Sequence, residues 1–313
     1  MPRPARSHRH SHRHAHWHAH RHANALAYAA FLAGPLLLYA AAFIWPVLAT
    51  IDLSRYSWDG FSPERTYVGL ANYVSLLGER RFLGAVLNNG KWLAYYLLVP
   101  TVVGLGLAVL LDADFRGVTV FRTIFFIPFT ITTVAIAATW RWLYEPNAGV
   151  INSVLRAAGL GEAAQNWLGN PNVNTYAIML ASLWAWSGFT FLVYFGGLRN
   201  IPTELTEAAR IDGASAWTVL WRIKLPMLLP STVVVLGIAG VDSMRVFDLI
   251  WAMTQGGPFQ SSTVLAVEMY ETSFARFELG TGAAVAVYLL ALSALVVLPY
   301  LYVISSRTEE QRE

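Results

Sequence analysis

Six apolar stretches recur along the chain, separated by polar segments that carry most of its Gly, Pro, Asn and charge. They run approximately Ala25–Ile51, Trp92–Leu111, Ile124–Leu143, Tyr176–Leu198, Leu228–Met253 and Gly282–Ile304. Each can supply the roughly 20 helical residues that cross an apolar slab of about 30 Å. The pattern predicts an all-α polytopic membrane protein with six transmembrane helices over 25–304. A His/Arg-rich tail precedes it at 1–24 and a short polar tail follows at 305–313. Arginines stand before the first stretch, but its apolar run is too long for a signal-peptide core, so it reads as a retained span.

Residues 200–227, between the fourth and fifth stretches, are polar and helix-forming. Pro202 suits a first helical turn, and Glu204 and Glu207 lie near the positive end of the helix that follows. Leu205, Ala208, Ala209 and Asp212 recur at three- and four-residue spacing and form one shallow face. Gly213 can take the left-handed conformation that ends a helix. Ser215 can cap a second helix, Ala216–Ile223, with Trp217, Leu220 and Trp221 on its apolar side; Leu225-Pro226 ends it and Pro230 opens the next span. So short a pair is not stable alone in water. A lipid surface or a partner's cleft would each accommodate it.

The other connectors carry turn signals: Val68-Gly69-Leu70 with Asn72-Tyr73; Glu145-Pro146 with Gly149 and Asn152, leading into a short amphipathic helix to about Ala158; and Gly256-Gly257-Pro258. On physics alone these are solvated connectors.

Composition agrees with the spans. Of 313 residues 56% are apolar and only 13% charged, too few charges to cover a soluble domain of this length. Cysteine is absent, so redox compartment is not legible. Arg3, Arg6, Arg9, Arg13 and Arg21 all precede the first acid, Asp52, and with the N-terminus inside most of the 22 Lys and Arg fall in cytosolic segments. The positive-inside tendency therefore places both termini and the 200–227 segment in the cytoplasm. All eight histidines alternate from His8 to His22. Metal binding there is conceivable, but without a second ligand type or a folded context the run reads as a solvated tail near anionic lipid. No metal site is expected.

Asp242, Arg245 and Asp248 sit three apart inside the fifth stretch and so should share one side of a helix. Three unpaired charges near a bilayer centre would cost on the order of 8–10 kcal/mol. They must pair with one another, face a partner helix, or line an aqueous path. Asp248 could then accept hydrogen bonds from sugar hydroxyls. Trp184, Trp186 and Phe189 could stack on sugar rings or serve as packing residues. Gly90-Lys91 is followed by Trp92, not the Ser or Thr a phosphate loop needs, so the chain supplies no ATPase of its own.

The run Glu207-Ala208-Ala209, Gly213, Ile223-Lys224-Leu225-Pro226 resembles the coupling loop of binding-protein-dependent ABC importer permeases at the family's spacing. The likeness extends through Pro46, Phe125-Phe126-Ile127-Pro128, Phe247-Asp248, Gly256-Gly257-Pro258 and Gly280, and resembles permeases of the maltose- or glycerol-phosphate-type carbohydrate importers. Lys91, where the family usually carries a small or apolar residue, and the His/Arg tail depart from it.

The resemblance implies a type I ABC importer permease fold and a non-catalytic subunit that binds no cofactor. It moves a carbohydrate across a bacterial cytoplasmic membrane. Two ATP-binding cassette subunits would use ATP and magnesium and contact Glu207. A second permease subunit, a paralogue rather than a copy, would complete the path through Asp242, Arg245, Phe247, Asp248, Trp184 and Trp186. An external sugar-binding protein would dock on the outer connectors. Membrane lipids are implied as partners and nucleic acid is not. An ion-coupled secondary carrier using the Asp242/Arg245/Asp248 triad is the alternative, although internal repeats and broken helices are not evident in the sequence. An intramembrane enzyme lacks a nucleophile–base pair or metal cluster in the spans.

Overall fold

The computed structural model describes residues 31–310 except 114, so the His/Arg tail at 1–24, the opening of the first stretch and residues 311–313 lie outside the described residues. The chain divides into two units, Met1–Leu53 and Ser54–Glu313. In the first, Phe31–Leu53 is one apolar helix, α1, with a wider turn at Ala40–Ile44 and Tyr39 stacked on Phe43 at 5.2 Å.

The second unit opens with a small antiparallel hairpin, β1 (Tyr56–Ser57) and β2 (Thr66–Tyr67), paired Tyr56 to Tyr67. Helices follow: α2 (Ala71–Gly78), α3 (Arg80–Leu111), α4 (Val118–Thr130), α5 (Thr133–Leu143), α6 (Val150–Ala157) and α7 (Asn174–Arg199). Next come α8 (Thr203–Ile211), α9 (Ala216–Met227), α10 (Leu229–Met244), α11 (Asp248–Thr254), α12 (Leu265–Tyr270) and α13 (Leu279–Glu310). Among the described residues, α1, α3, α7 and α13 are long and apolar enough to cross a membrane. Two bent pairs, α4 with α5 and α9 with α10, raise the number to six if each pair is one span. Rows of exposed apolar side chains, such as Leu98, Val102 and Leu110 on α3 and Leu295, Leu298 and Leu301 on α13, would be a fault in water and suit lipid. This is a multi-pass membrane protein.

Three expected spans differ in detail. The second begins at Arg80 rather than Trp92, because Arg80-Arg81 and the asparagines behind them are helical. Lys91 therefore sits within α3, not at the mouth of a span. The third, expected as one helix over Ile124–Leu143, bends by 104° between α4 and α5, where Ile131 and Thr132 are extended just after Pro128. The fifth, expected unbroken over Leu228–Met253, stops at Met244 and resumes at Asp248. Broken helices are thus present after all. At the C-terminus, α13 runs through Glu310 into the stretch expected as a tail.

Helix α3 is the element around which the second unit packs. Pro100 lies inside it and cannot donate to the carbonyl of Tyr96; the Thr101 hydroxyl donates to that oxygen instead, at 3.2 Å, and the helix continues. Gly104 lets α7 approach, since a Cβ there would overlap the Thr190 side chain and lie 2.7 Å from the Phe191 backbone nitrogen. Thr190 in turn donates to the Pro100 carbonyl at 2.8 Å. Trp92, Tyr96, Ile178, Ala181, Ile250 and Val264 form one buried cluster, and Ala108, Leu111, Phe191, Tyr194 and Leu228 a second.

Candidate functional site

The break after α10 opens onto a polar concavity. A cavity of about 220 Å³ is bounded by Tyr96 of α3, Thr133 and Ile136 of α5, Ser182 and Trp186 of α7, Asp242 of α10 and the chain from Arg245 to Leu249. The bend after Pro128 brings the first turn of α5 to this wall. Tyr96 and Ser182 share a hydrogen bond of 3.0 Å, and the Trp186 ring lies 4.7 Å from Tyr96. Phe247 stacks on Trp251 at 5.7 Å with ring planes 11° apart.

Asp242, Arg245 and Asp248 do not share one helix side, as the unbroken helix would have required. Arg245 ends α10, its N–H closing on the Asp242 carbonyl at 3.1 Å, and Phe247 opens α11. All three nevertheless border the cavity. No salt bridge joins them among the described residues. Arg245 and Asp248 are exposed and Asp242 is half-buried. Trp184 does not border the cavity; it meets Trp140 edge-on at 6.3 Å. Tyr96, Thr133 and Ser182 were missed by sequence reasoning. Pro128, which reorients α5, was the available signal for Thr133; hydroxyls on otherwise apolar helices were the signal for the others.

The second candidate is the α8–α9 segment. Gly213 has φ +82°, ending α8 in the left-handed conformation, and the Ser215 hydroxyl accepts the Thr218 N–H at 3.2 Å to cap α9. Helical structure then runs through a wide turn at Leu220–Lys224 as far as Met227, rather than stopping at Ile223; Pro226 sits in the last turn. On the side expected to be apolar, Trp217 is 67% exposed and Trp221 54%, while Leu220 is half-buried; Val219 beside them is buried, and Ile211 at the end of α8 is exposed. Glu207, Ala208 and Asp212 are exposed, Ala209, Ile223 and Leu225 are half-buried, and Pro226 is exposed. Leu225 packs with the cluster around Leu111 and Leu228. Lys224 Nζ lies 2.5 Å from Asp112 Oδ2, just past the end of α3.

The opposite ends of the helices carry ordered connectors. Asn152 is buried and uses its amide fully, donating to the Pro146 and Gln165 carbonyls at 2.9 Å and accepting from Trp167 Nε1 at 2.8 Å. The N–H groups of Ala148 and then Asn147 hold the Glu145 carboxyl below the usual carboxylate range. Asn174 donates to the Gly257 carbonyl at 2.7 Å, and Asn88 to those of Ser261 and Thr263 at 2.9 and 2.8 Å, leaving Phe259 92% exposed at the loop tip.

Comparison with known proteins gives these features a context. Residues 84–308 match the family model described as binding-protein-dependent transport system inner membrane component. A probable ABC transporter permease of Pyrococcus horikoshii is 37% identical over 278 residues, covering 88% of this chain and 95% of its own. The trehalose/maltose transport system permease protein of Thermococcus litoralis is 34% identical over 267 residues, 84% of this chain and 89% of its own. The fold is shared with a bacterial ABC transporter involved in alginate import, at a TM-score of 0.78 and 23% identity, covering 93% of this chain and 98% of that one. A second structure of such a transporter, in complex with an alginate-pentasaccharide-bound periplasmic protein, matches at 0.75 and 22% identity, over 88% and 92% of the two chains. None of this supports an ion-coupled carrier. The chain belongs to the binding-protein-dependent transport system inner membrane components: it is the non-catalytic membrane permease of an ABC importer.

Proposed function

We propose that this permease carries a carbohydrate past the break between α10 and α11, driven by ATP-binding cassette subunits that grip the α8–α9 segment. The observation that carries the reading is the cavity itself. Trp186 and Phe247 offer ring faces for a pyranose, and Asp242, Arg245 and Asp248 stand beside them without ion-pair partners among the described residues. The permease similar in sequence from Thermococcus litoralis handles trehalose and maltose, which favours a neutral sugar.

In this reading Glu207, Ala208, Ala209, Asp212 and Gly213 meet the ATPase, joined by the outward Trp217 and Trp221, and Ile223, Leu225 and Pro226 anchor the segment. Both termini then lie in the cytoplasm of a bacterial cell. Two ATPase subunits hydrolyse ATP, and a second permease, a paralogue rather than a copy, closes the other half of the path. The connectors around Asn152 and Phe259 receive the external sugar-binding protein, in keeping with the periplasmic protein bound to the alginate transporter.

The test is reconstitution of the complex with its binding protein, followed by ATPase stimulation across a panel of neutral and acidic sugars. A neutral mono- or disaccharide should stimulate, and Trp186→Ala together with Asp248→Asn should lower uptake of that sugar. Stimulation by acidic sugars alone, or full uptake by the double variant, would remove the cavity from the path. Separately, Glu207→Lys or Gly213→Pro should uncouple ATP hydrolysis from uptake; unaltered coupling would mean that α8–α9 is not gripped.

A further inference from the structure

Helix α3 is tied by charge at both ends and spans about 48 Å between them, at 1.5 Å per residue over its 32 residues. At its C-terminal end Asp112 holds Lys224 of α9, with the two side chains only 18% and 23% exposed. The Arg122 guanidinium meets the Leu111 carbonyl there at 2.7 Å and lies over the Phe195 ring at 4.3 Å, fastening α4 and α7 to the same point. Beside the ion pair, a gap of about 250 Å³ separates Val109 of α3 from Arg210, Trp217 and Val219 of the α8–α9 segment. Lys224 forms part of the wall of that gap and reaches Asp112 beside it, next to the Leu111–Leu225–Leu228 cluster. At the other end of α3, Arg81 pairs with Glu268 and Glu271 of the α12 region, and Glu268 also holds Arg276 at 2.6 Å. Asn89 of α3 accepts the Leu265 N–H at 2.8 Å. Between the two ends stands Tyr96, at the cavity wall.

Surface ion pairs contribute little because water competes for both partners. This one is largely shielded, and it joins a short segment to a long helix that Thr101 keeps continuous past Pro100. We propose that Lys224 and Asp112 are the positioning pair through which movement of the α8–α9 segment becomes displacement of α3, and so reaches the outer connector Gly256–Tyr270. The inference rests on the reading that ATPase subunits grip α8–α9.

The experiment follows hydrogen exchange in the assembled transporter in nanodiscs, without nucleotide and with magnesium, ATP and vanadate. In the wild type, exchange should change in both residues 203–227 and residues 256–270. Asp112→Asn and Lys224→Met should each keep the first change but lose the second by about fivefold or more, the scale of ordinary intersite coupling. The charge swap D112K/K224D should restore it, and the response retained at 203–227 in the single variants separates lost coupling from a merely structural defect. Single variants with a full outer response, or a swap as impaired as the singles, would overturn the proposal and leave the grip on α8–α9 standing. A wild type with no change at 203–227 would overturn both.

Discussion

Glu268 offers the sharpest test of what holds the 256–270 connector to α3. Its side chain is 0% exposed and accepts from Arg81, from Arg276 and, at 3.1 Å, from Thr272. Glu268→Gln keeps the shape but replaces one acceptor oxygen with an amide NH2 facing a guanidinium. Removing one partner of a buried pair costs about 3–5 kcal/mol because a charge is left uncompensated. Two features lower that figure here: Arg81 retains Glu271, and the Arg276 side chain is 32% exposed. We expect a loss of about 2–3 kcal/mol. Glu271→Gln, at a side chain 23% exposed and with Glu268 still in place, should cost under about 1 kcal/mol. Unfolding of the detergent-solubilised protein by rising SDS fraction, followed by tryptophan fluorescence, would rank the two. Equal losses, or a Glu268→Gln midpoint indistinguishable from wild type, would refute the view that this network fixes the connector.

Gly104→Val should destabilise the α3–α7 crossing by about 1–3 kcal/mol or more, because the new side chain meets Thr190 and the Phe191 backbone; the same SDS titration reads it. Asn152→Ala should cost about 1–3 kcal/mol per group left without a partner, and raise hydrogen exchange at Gln165. Asp59 accepts the Ser62 and Phe61 N–H groups and the Ser62 hydroxyl, which lower its carboxyl to about 2. A depressed folded pKa stabilises fully above the unfolded value and is lost as pH falls through the folded one. Protection of the Phe61 and Ser62 amides should therefore persist down to the ordinary carboxylate range and fall only as pH approaches 2; loss near neutrality would contradict this.

The spans were legible because apolar runs of this length have few other uses, and the caps of α8–α9 were legible because Gly213 and Ser215 act locally. What escaped were features decided by tertiary context. Arg80-Arg81 looked like a connector, yet the α12 carboxylates accept Arg81 and let α3 start early. Asp242, Arg245 and Asp248 showed helical spacing, yet α10 stops among them and α11 begins at Asp248. Trp184 and Trp186 are chemically alike two residues apart; helical rotation sends one to the cavity and the other to Trp140. Tyr96 and Ser182 become visible as a pair only when α3 and α7 lie side by side.

Two prolines in neighbouring helices meet opposite fates. After Pro128 the chain turns away, whereas at Pro100 a single hydroxyl on the next residue serves as a splint and the rod stays whole. In hydrocarbon no water can step in for a missing donor, so at Pro100 the Thr101 oxygen supplies what the proline lacks. Removing that one hydroxyl should therefore soften α3 at Pro100 while the proline itself stays in place.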